Sequence, residues 1–217
     1  MIKAVFFDVG ETIVDETEMF GAWADWLGVP RHTFSAVFGA VLARGLDHQQ
    51  TFQVLRPGFD LAAERQRRAE AGQPDEFSEE HLYPDAAPCL RALRAQGLLV
   101  GLAGNQPART EAVLKAMSLD VDVIATSDGW GVKKPSPAFF ERVVREAGCP
   151  PEQVLYVGDR IDNDIRPAQE AGLRTAHIRR GPWAYIVDQP EVAQRCLFRL
   201  DSLAQLPELL RRHNARA

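Results

Sequence analysis

The stretch FFDVGETI, residues 6–13, decides the fold of this chain. It completes an apolar run at residues 2–7 that predicts a short buried strand, and Asp8 follows this run directly. Gly10 and Thr12 then predict a turn. Open parallel α/β sheets bind their ligands at the carboxyl ends of their strands, so Asp8 is a candidate functional residue.

A second carboxylate occupies the same kind of position far along the chain. The apolar run at residues 154–157 predicts another buried strand, and Gly158 and Asp159 follow it, with Asp164 five residues further on. Because parallel strands end at one edge of a sheet, we expect Asp8 and Asp159 to lie close together. Carboxylates in this arrangement form a site for a hard cation and offer a candidate nucleophile.

Strand and helix patterns alternate along most of the chain after residue 83. The predicted strands lie at residues 98–103, 121–125, 154–157 and 175–178. The predicted helices lie at residues 87–96, 107–118, 137–147 and 165–171, with a terminal helix at 202–212. Alternation with short links predicts an α/β fold with a doubly wound parallel sheet, which the first strand joins.

Residues 15–83 have a different pattern, which predicts an all-helical insertion. Helices are expected at residues 19–27 and 34–42 and at the Arg-rich segment 61–71, the last of them largely exposed to solvent. No strand is expected here. The sequence therefore predicts two domains, a core formed by residues 1–14 and 84–217 and a helical domain formed by residues 15–83.

Composition and charge narrow the classes of function. The chain has 217 residues, of which 46% are hydrophobic and 25% charged, as in an ordinary globular protein. A formal net charge of −5 without a dense basic stripe argues against a nucleic-acid partner. Neither a membrane-spanning run nor a signal peptide is expected. Cys89, Cys149 and Cys196 form no zinc or disulfide pattern, so we expect a reducing cytoplasm. A monomer or a homodimer is expected.

Four segments, each at the end of a predicted strand, resemble the haloacid dehalogenase-like (HAD) superfamily, whose members are mostly phosphatases. They are FFDVGETI at 6–13, VGLAGN at 100–105, VKKPSPAFF at 132–140 and VGDRIDNDI at 157–165. The resemblance covers the whole chain, and the segments occur in the right order. It implies a Rossmann-like core with an inserted helical cap, and a small phosphorylated molecule as the substrate.

The resemblance also implies roles for the acidic residues. Asp8 matches the nucleophile, which would form an aspartyl-phosphate intermediate. Asp159 matches a ligand of Mg²⁺, with Asp8 and the Gly10 carbonyl as further ligands. Asp164 would hold metal-bound waters or orient Asp159. Asp164 could also cap a helix that begins near Ile165, and the two roles are compatible.

Lys134 and Asn105 complete the implied site. Lys134 matches the lysine that offsets the negative charge of Asp8 and the phosphate. Lys133 is the rival, but the Pro-x-Pro that follows favours Lys134. Asn105 precedes a helix with proline in its first turn, and helix N-termini bind anions. Many relatives carry Ser or Thr before this Asn, whereas Gly104 offers only its backbone amide for substrate binding.

Gly10 is the larger departure from the family pattern. Family phosphatases usually have a second Asp there, as a general acid and base of the kind worth about 10²–10⁴ in rate. Glu11, Asp15 and Glu16 are alternative acids, although a residue adjacent to Gly10 generally faces another way. The source of the leaving-group proton therefore stays open at this point.

The sequence predicts a magnesium-dependent hydrolase of small phosphate monoesters. Because Gly10 and Gly104 lack side chains that active phosphatases commonly use, an alternative is a catalytically impaired relative that binds a phosphorylated ligand or a protein partner. A third possibility is a haloacid dehalogenase, which also lacks the second Asp but attacks carbon and needs no metal. The acidic pattern of Asp159 and Asp164 favours a phosphatase over a dehalogenase.

Overall fold

The structure, a computed structural model, describes residues 1–187 and 189–216. Asp188 and Ala217, which belong to the predicted core domain, lie outside the described residues. The chain divides into two compact units, one formed by Met1–Asp15 and Leu82–Ala217 and the other by Glu16–His81.

The first unit is built on a six-stranded parallel sheet. Its strands are β1 (Ala4–Phe7), β2 (Leu99–Gly104), β3 (Val123–Thr126), β4 (Val154–Gly158), β5 (Arg174–Ile178) and β6 (Phe198–Leu200). They pair in the order β3-β2-β1-β4-β5-β6, which is the doubly wound arrangement and confirms the predicted fold class. The sequence analysis missed β6, because three residues are too few to show a periodic pattern.

The central strands are buried on both faces of the sheet. Every residue of β1 and β4 is buried, which explains why both segments are continuous apolar runs in the sequence. The ring of Phe6 lies against Gly101 of the neighbouring strand, where any Cβ would overlap it. The Tyr156 hydroxyl donates a 2.6 Å hydrogen bond to the Ala103 carbonyl and so satisfies its own buried polar group.

Helices flank this sheet. They are α5 (Ala86–Ala95), α6 (Ala108–Ala116), α7 (Ser127–Trp130), α8 (Pro137–Ala147), α9 (Arg166–Glu170), α10 (Gly181–Ile186), α11 (Pro190–Ala193) and α12 (Leu206–Asn214). The helix α8 begins at Pro137 and is capped after Ala147 by Gly148, whose φ of 62° is the left-handed conformation that favours glycine. Among the described residues, no helix combines the length and the apolar character that crossing a bilayer requires.

The second unit is helical. It contains α1 (Thr17–Leu27), α2 (Arg31–Ala43), α3 (Gln50–Leu55) and α4 (Leu61–Glu70), and residues 16–81 contain no strand. Its core is aromatic, with Trp23 buried edge-on against Phe52 at 5.1 Å between ring centroids. The expected exposure of the Arg-rich helix is wrong for Arg68, whose buried guanidinium lies 4.2 Å from the centroid of Trp23.

Candidate active site

The acidic residues meet where the strand order of the sheet reverses. Asp8 directly follows β1 and Asp159 directly follows β4, and these two strands are neighbours. The Asp8 amide donates a 2.9 Å hydrogen bond to the Val157 carbonyl, which continues the strand pairing to the edge. Carboxylate oxygens of Asp8, Asp159 and Asp164 lie within 4.8 Å of one another. This is the position at which doubly wound sheets bind ligands.

Lys134 is the cation of this cluster. Its Nζ lies 2.7 Å from Asp8 Oδ1 and 2.7 Å from Asp164 Oδ1, and its side chain is fully buried. The neighbouring Lys133 is exposed. The ammonium also faces the rings of Tyr156 and Phe139, at 5.6 and 5.9 Å from their centroids. Of the two candidate lysines, the structure therefore brings Lys134 to the acidic residues.

Asn105 fixes the backbone that carries this lysine. Its Oδ1 accepts a 2.8 Å hydrogen bond from the Lys134 amide, and its Nδ2 donates a 2.9 Å bond to the Lys134 carbonyl. Asn105 follows β2, so this pair of bonds links the end of that strand to the lysine loop. The amide nitrogen has a second hydrogen, which leaves one donor for a phosphate oxygen.

A turn of π-helix brings Asp164 to the site. Residues Ile161–Ile165 form this turn, in which Asp164 Oδ2 accepts a 3.0 Å hydrogen bond from the Arg160 amide. The alternative helix-capping role of Asp164 is wrong, because α9 begins at Arg166 with Ile165 at its N-cap position and has no side-chain cap. Any Cβ at Gly158 would overlap the Asp164 side chain, so a glycine is needed there. Single π-helical turns are frequent at functional sites.

The cluster carries more negative than positive charge. Burial, with the charges of Asp164 and Asp8, raises the pKa of Asp159 well above its usual range. Burial raises the pKa of Asp164 to about 6, although Lys134 opposes this shift. Burial alone would lower the pKa of Lys134, but the charges of Asp164 and Asp8 outweigh it and hold that pKa well above the ordinary value.

One oxygen of the cluster lacks a partner. Asp159 Oδ2 is buried and has no hydrogen bond to any described residue. A buried carboxylate oxygen without a partner is costly, and excess negative charge around it adds to the cost. A divalent cation that prefers oxygen ligands would give this oxygen a partner and would neutralise the excess negative charge. The residues present therefore fit such a metal.

Glycines occupy the two positions where the family pattern suggests side chains. A Cβ at Gly104 would lie 2.7 Å from Asp8 Oδ1 and 3.2 Å from Val9 Cγ2. The Asp8 carboxylate therefore occupies the space in which a serine or threonine side chain would begin. Gly10 is half-buried and forms an isolated parallel bridge with Val14.

Glu11 is buried beside this turn, and the sequence analysis missed what holds it. The Tyr83 hydroxyl donates a 2.6 Å hydrogen bond to Glu11 Oε2. Asp15 and Glu16, the other alternative acids, are half-buried and do not belong to the carboxylate cluster. Glu11 and Tyr83 are 72 positions apart, so a single sequence gives no local signal for this contact.

His177 is buried beside the carboxylate cluster. Its Nε2 lies 2.9 Å from the backbone oxygen of Asp159. The pairing of β4 with β5 explains this contact, because His177 on β5 lies opposite Gly158 on β4, the residue before Asp159. His177 therefore supports the backbone of a cluster residue.

Comparisons with known proteins agree with this geometry. A model of haloacid dehalogenase-like hydrolases matches residues 2–172. A protein of Methanopyrus kandleri named glyceraldehyde 3-phosphate phosphatase is 30% identical over 201 residues, covering 84% of this chain and 86% of the relative. The magnesium-bound HAD-hydrolase YfnB of Bacillus subtilis has a TM-score of 0.72 at 19% identity, covering 96% of this chain and 98% of that chain. An L-2-haloacid dehalogenase also has a TM-score of 0.72, at 20% identity, covering 97% and 99%.

The doubly wound sheet, with carboxylates at the point where its strand order reverses, is typical of α/β proteins that bind a ligand at that point. The chain belongs to the haloacid dehalogenase-like hydrolase family, which confirms the resemblance seen in its four segments. It is a hydrolase whose curated relatives include phosphatases. A HAD phosphatase and an L-2-haloacid dehalogenase both appear among the similar solved structures, at 23% and 20% identity, where the likeness shows the fold alone.

Proposed function

We propose that this protein is a magnesium-dependent hydrolase of small phosphate monoesters. The observation that carries the proposal is the buried cluster in which Lys134 Nζ lies 2.7 Å from Asp8, while Asp159 Oδ2 has no hydrogen-bond partner among the described residues. Asp8, Asp159 and the Gly10 carbonyl would hold Mg²⁺, with Asp164 orienting them. The bound ion would neutralise charge on the phosphate and on Asp8. The helical insertion would act as a cap that selects the substrate.

The proposed reaction has two steps, both centred on Asp8. An Asp8 oxygen attacks phosphorus, the P–O bond to the alcohol breaks, and an aspartyl-phosphate forms. Water then attacks the same phosphorus, which releases inorganic phosphate and regenerates the carboxylate. Lys134 holds Asp8 in place and offsets the charge of the incoming phosphate. The departing alkoxide must also acquire a proton, and Gly10 has no side chain to give one.

Because Gly10 provides no general acid, the rate of hydrolysis should depend strongly on the leaving group of the ester. Aryl phosphates have leaving groups that depart without a proton. They should therefore be hydrolysed faster than alkyl phosphates by about 10²-fold or more, which is the scale of one general acid. Gly10→Asp should raise the alkyl rate by about 10²-fold, at the low end of that scale because its neighbours are not arranged to set the pKa of the new carboxyl. Aryl rates should change little. Phosphate release with and without Mg²⁺ measures all of these rates.

Gly10→Asn is the matched control, since it adds the same volume without an acid. A gain in alkyl rate from Gly10→Asn equal to that from Gly10→Asp would rule out proton transfer as the cause. The second candidate function, binding of a phosphorylated ligand without turnover, is favoured by the same glycine. It predicts saturable binding of phosphate esters with Mg²⁺ but no phosphate release from aryl or alkyl esters. The dehalogenase alternative predicts halide release without a metal.

Cation binding should weaken as the pH falls through about 6. The raised pKa values of Asp159 and Asp164, the latter about 6, mean that protons compete with Mg²⁺ below that pH. Calorimetric titrations in buffers of different ionisation enthalpy should show more protons released on Mg²⁺ binding at pH 5.5 than at pH 8. Asp164→Asn should reduce this proton release.

The raised pKa of Asp164 also affects the stability of the metal-free protein. An Asp164 pKa of about 6 in the folded state, against 3.8 in the unfolded state, means that the folded protein binds more protons between these pH values. The contribution of Asp164 to stability therefore falls as the pH rises through this window. Denaturant unfolding with a chelator present would test the sign.

A further inference from the structure

The residue after Gly10 has an unusual backbone conformation. Glu11 has a φ of 53°, in the left-handed region that residues other than glycine seldom adopt. Among the described residues, Ser118 is the other non-glycine residue with a positive φ. Such a conformation persists only when surrounding contacts hold it, and it is often found at functional sites.

A chain of contacts holds the Glu11 side chain. The Tyr83 hydroxyl donates its 2.6 Å bond to Glu11 Oε2, and the Arg180 guanidinium lies 4.1 Å from the centroid of the Tyr83 ring. Arg180 is itself fixed by a 2.7 Å bond to Asp85 and a 3.2 Å bond to the Thr12 carbonyl. Burial and the bond to Glu11 raise the pKa of Tyr83, so its hydroxyl stays protonated and remains a donor.

Close packing confines Glu11 from another direction. A Cβ at Gly181 would lie 2.6 Å from both Cβ and Cγ of Glu11, so only a glycine leaves room for this side chain. Gly181 has a φ of 69°, which also favours glycine. Glu11 is thus held by a hydrogen bond at its tip and by packing at its stem.

This restraint reaches the Gly10 carbonyl through one peptide bond. The carbonyl of Gly10 and the N–H of Glu11 belong to the same planar unit and point in opposite directions. The Glu11 N–H donates a 2.7 Å hydrogen bond to the Val14 carbonyl. With the N–H directed at Val14 and the Glu11 Cα fixed, the Gly10 carbonyl has one direction available.

We propose that Glu11 and Tyr83 form a positioning pair that directs the Gly10 carbonyl at the metal. The inference rests on the proposed function, in which this carbonyl is a ligand of Mg²⁺. It gives Glu11 a role other than that of a substitute acid, because its carboxylate already accepts the Tyr83 hydroxyl. In this proposal the pair acts through the backbone and supplies no ligand to the metal.

Tyr83→Phe tests the pair by removing a single hydroxyl. Calorimetric titration with Mg²⁺ should show a dissociation constant about 10-fold higher than in the wild type, the lower end of the effect of losing a partner that orients a ligand. At saturating Mg²⁺, kcat and KM for an aryl phosphate should change little. Tyr185→Phe is the matched control, since Tyr185 is 62% exposed and lies in the same unit.

A double-mutant cycle separates positioning from general stability. Glu11→Gly keeps the left-handed backbone accessible but removes the side chain that holds it, so Mg²⁺ affinity should again fall about 10-fold. Adding Tyr83→Phe to Glu11→Gly should produce no further loss, because the two residues act as one unit. A structural role alone would lower the unfolding temperature without changing the dissociation constant.

The outcomes distinguish the inference from the function on which it rests. A wild type that binds Mg²⁺, with Tyr83→Phe binding it equally well, would overturn the positioning role and leave the proposed function intact. Independent, additive losses in the cycle would also overturn the pair. A wild type that shows no Mg²⁺ binding would overturn the proposed function and the inference together.

Discussion

Asp8→Asn is expected to abolish phosphate release. The substitution keeps the size of the side chain and one oxygen, but an amide cannot attack phosphorus to form the aspartyl-phosphate. Losing a nucleophile in other hydrolases removes most of the rate enhancement, so we expect a fall of at least about 10⁴-fold in kcat. Phosphate release from an aryl ester at saturating Mg²⁺ is the measurement.

Loss of folding should not account for this result. Lys134 keeps its 2.7 Å contact with Asp164 in the variant, and removal of one of three clustered carboxylates reduces their mutual repulsion. The metal-free variant should therefore be at least as stable to urea as the wild type. Asp162→Asn is a control that makes the same chemical change, because Asp162 lies on the π-helical turn that carries Asp164 but pairs with Arg160. Activity above about 1% of the wild type in purified Asp8→Asn would contradict Asp8 as the nucleophile.

The positions of the acidic residues could be inferred from the sequence for a simple physical reason. Buried parallel strands are continuous apolar runs, and the first polar residue after each run marks the edge of the sheet. Asp8 and Asp159 both follow such runs, so the meeting of these strand ends at the reversal point was predictable. The distances that make Lys134 the partner of Asp8 and Asp164 required the structure.

The features that the sequence did not predict depend on backbone geometry and on contacts between residues that are distant along the chain. Asp164 had two compatible roles in the sequence, and only the π-helical turn at Ile161–Ile165 shows that it does not cap α9. The positive φ of Glu11 has no sequence signature, because residues other than glycine adopt it only under tertiary restraint. Arg68 looked like part of a solvated face until the structure showed it over Trp23.

Lys134→Met is the second substitution with a large expected effect. Methionine approximates the stem of lysine but removes the ammonium that lies 2.7 Å from both Asp8 and Asp164. Breaking a buried ion pair from one side leaves uncompensated charge, so the metal-free protein should lose about 3–5 kcal/mol of unfolding free energy. Urea denaturation with a chelator at pH 8 would measure the loss. Lys133→Met, at an exposed position, should change stability by less than about 0.5 kcal/mol.

Magnesium and protons should each reduce the defect of Lys134→Met, for the same electrostatic reason. A cation whose free concentration is 100 times its dissociation constant adds about 2.7 kcal/mol to the unfolding free energy of a protein that binds it only when folded. The variant should gain more than the wild type at the same Mg²⁺ concentration, because its carboxylates lack their internal cation and bind Mg²⁺ more tightly. Lowering the pH towards 5 should also narrow the gap, since carboxyls with raised pKa values then take up protons. A defect equal at pH 5 and pH 8, and unaffected by Mg²⁺, would mean that Lys134 stabilises the fold by packing rather than by balancing the charge of a metal site.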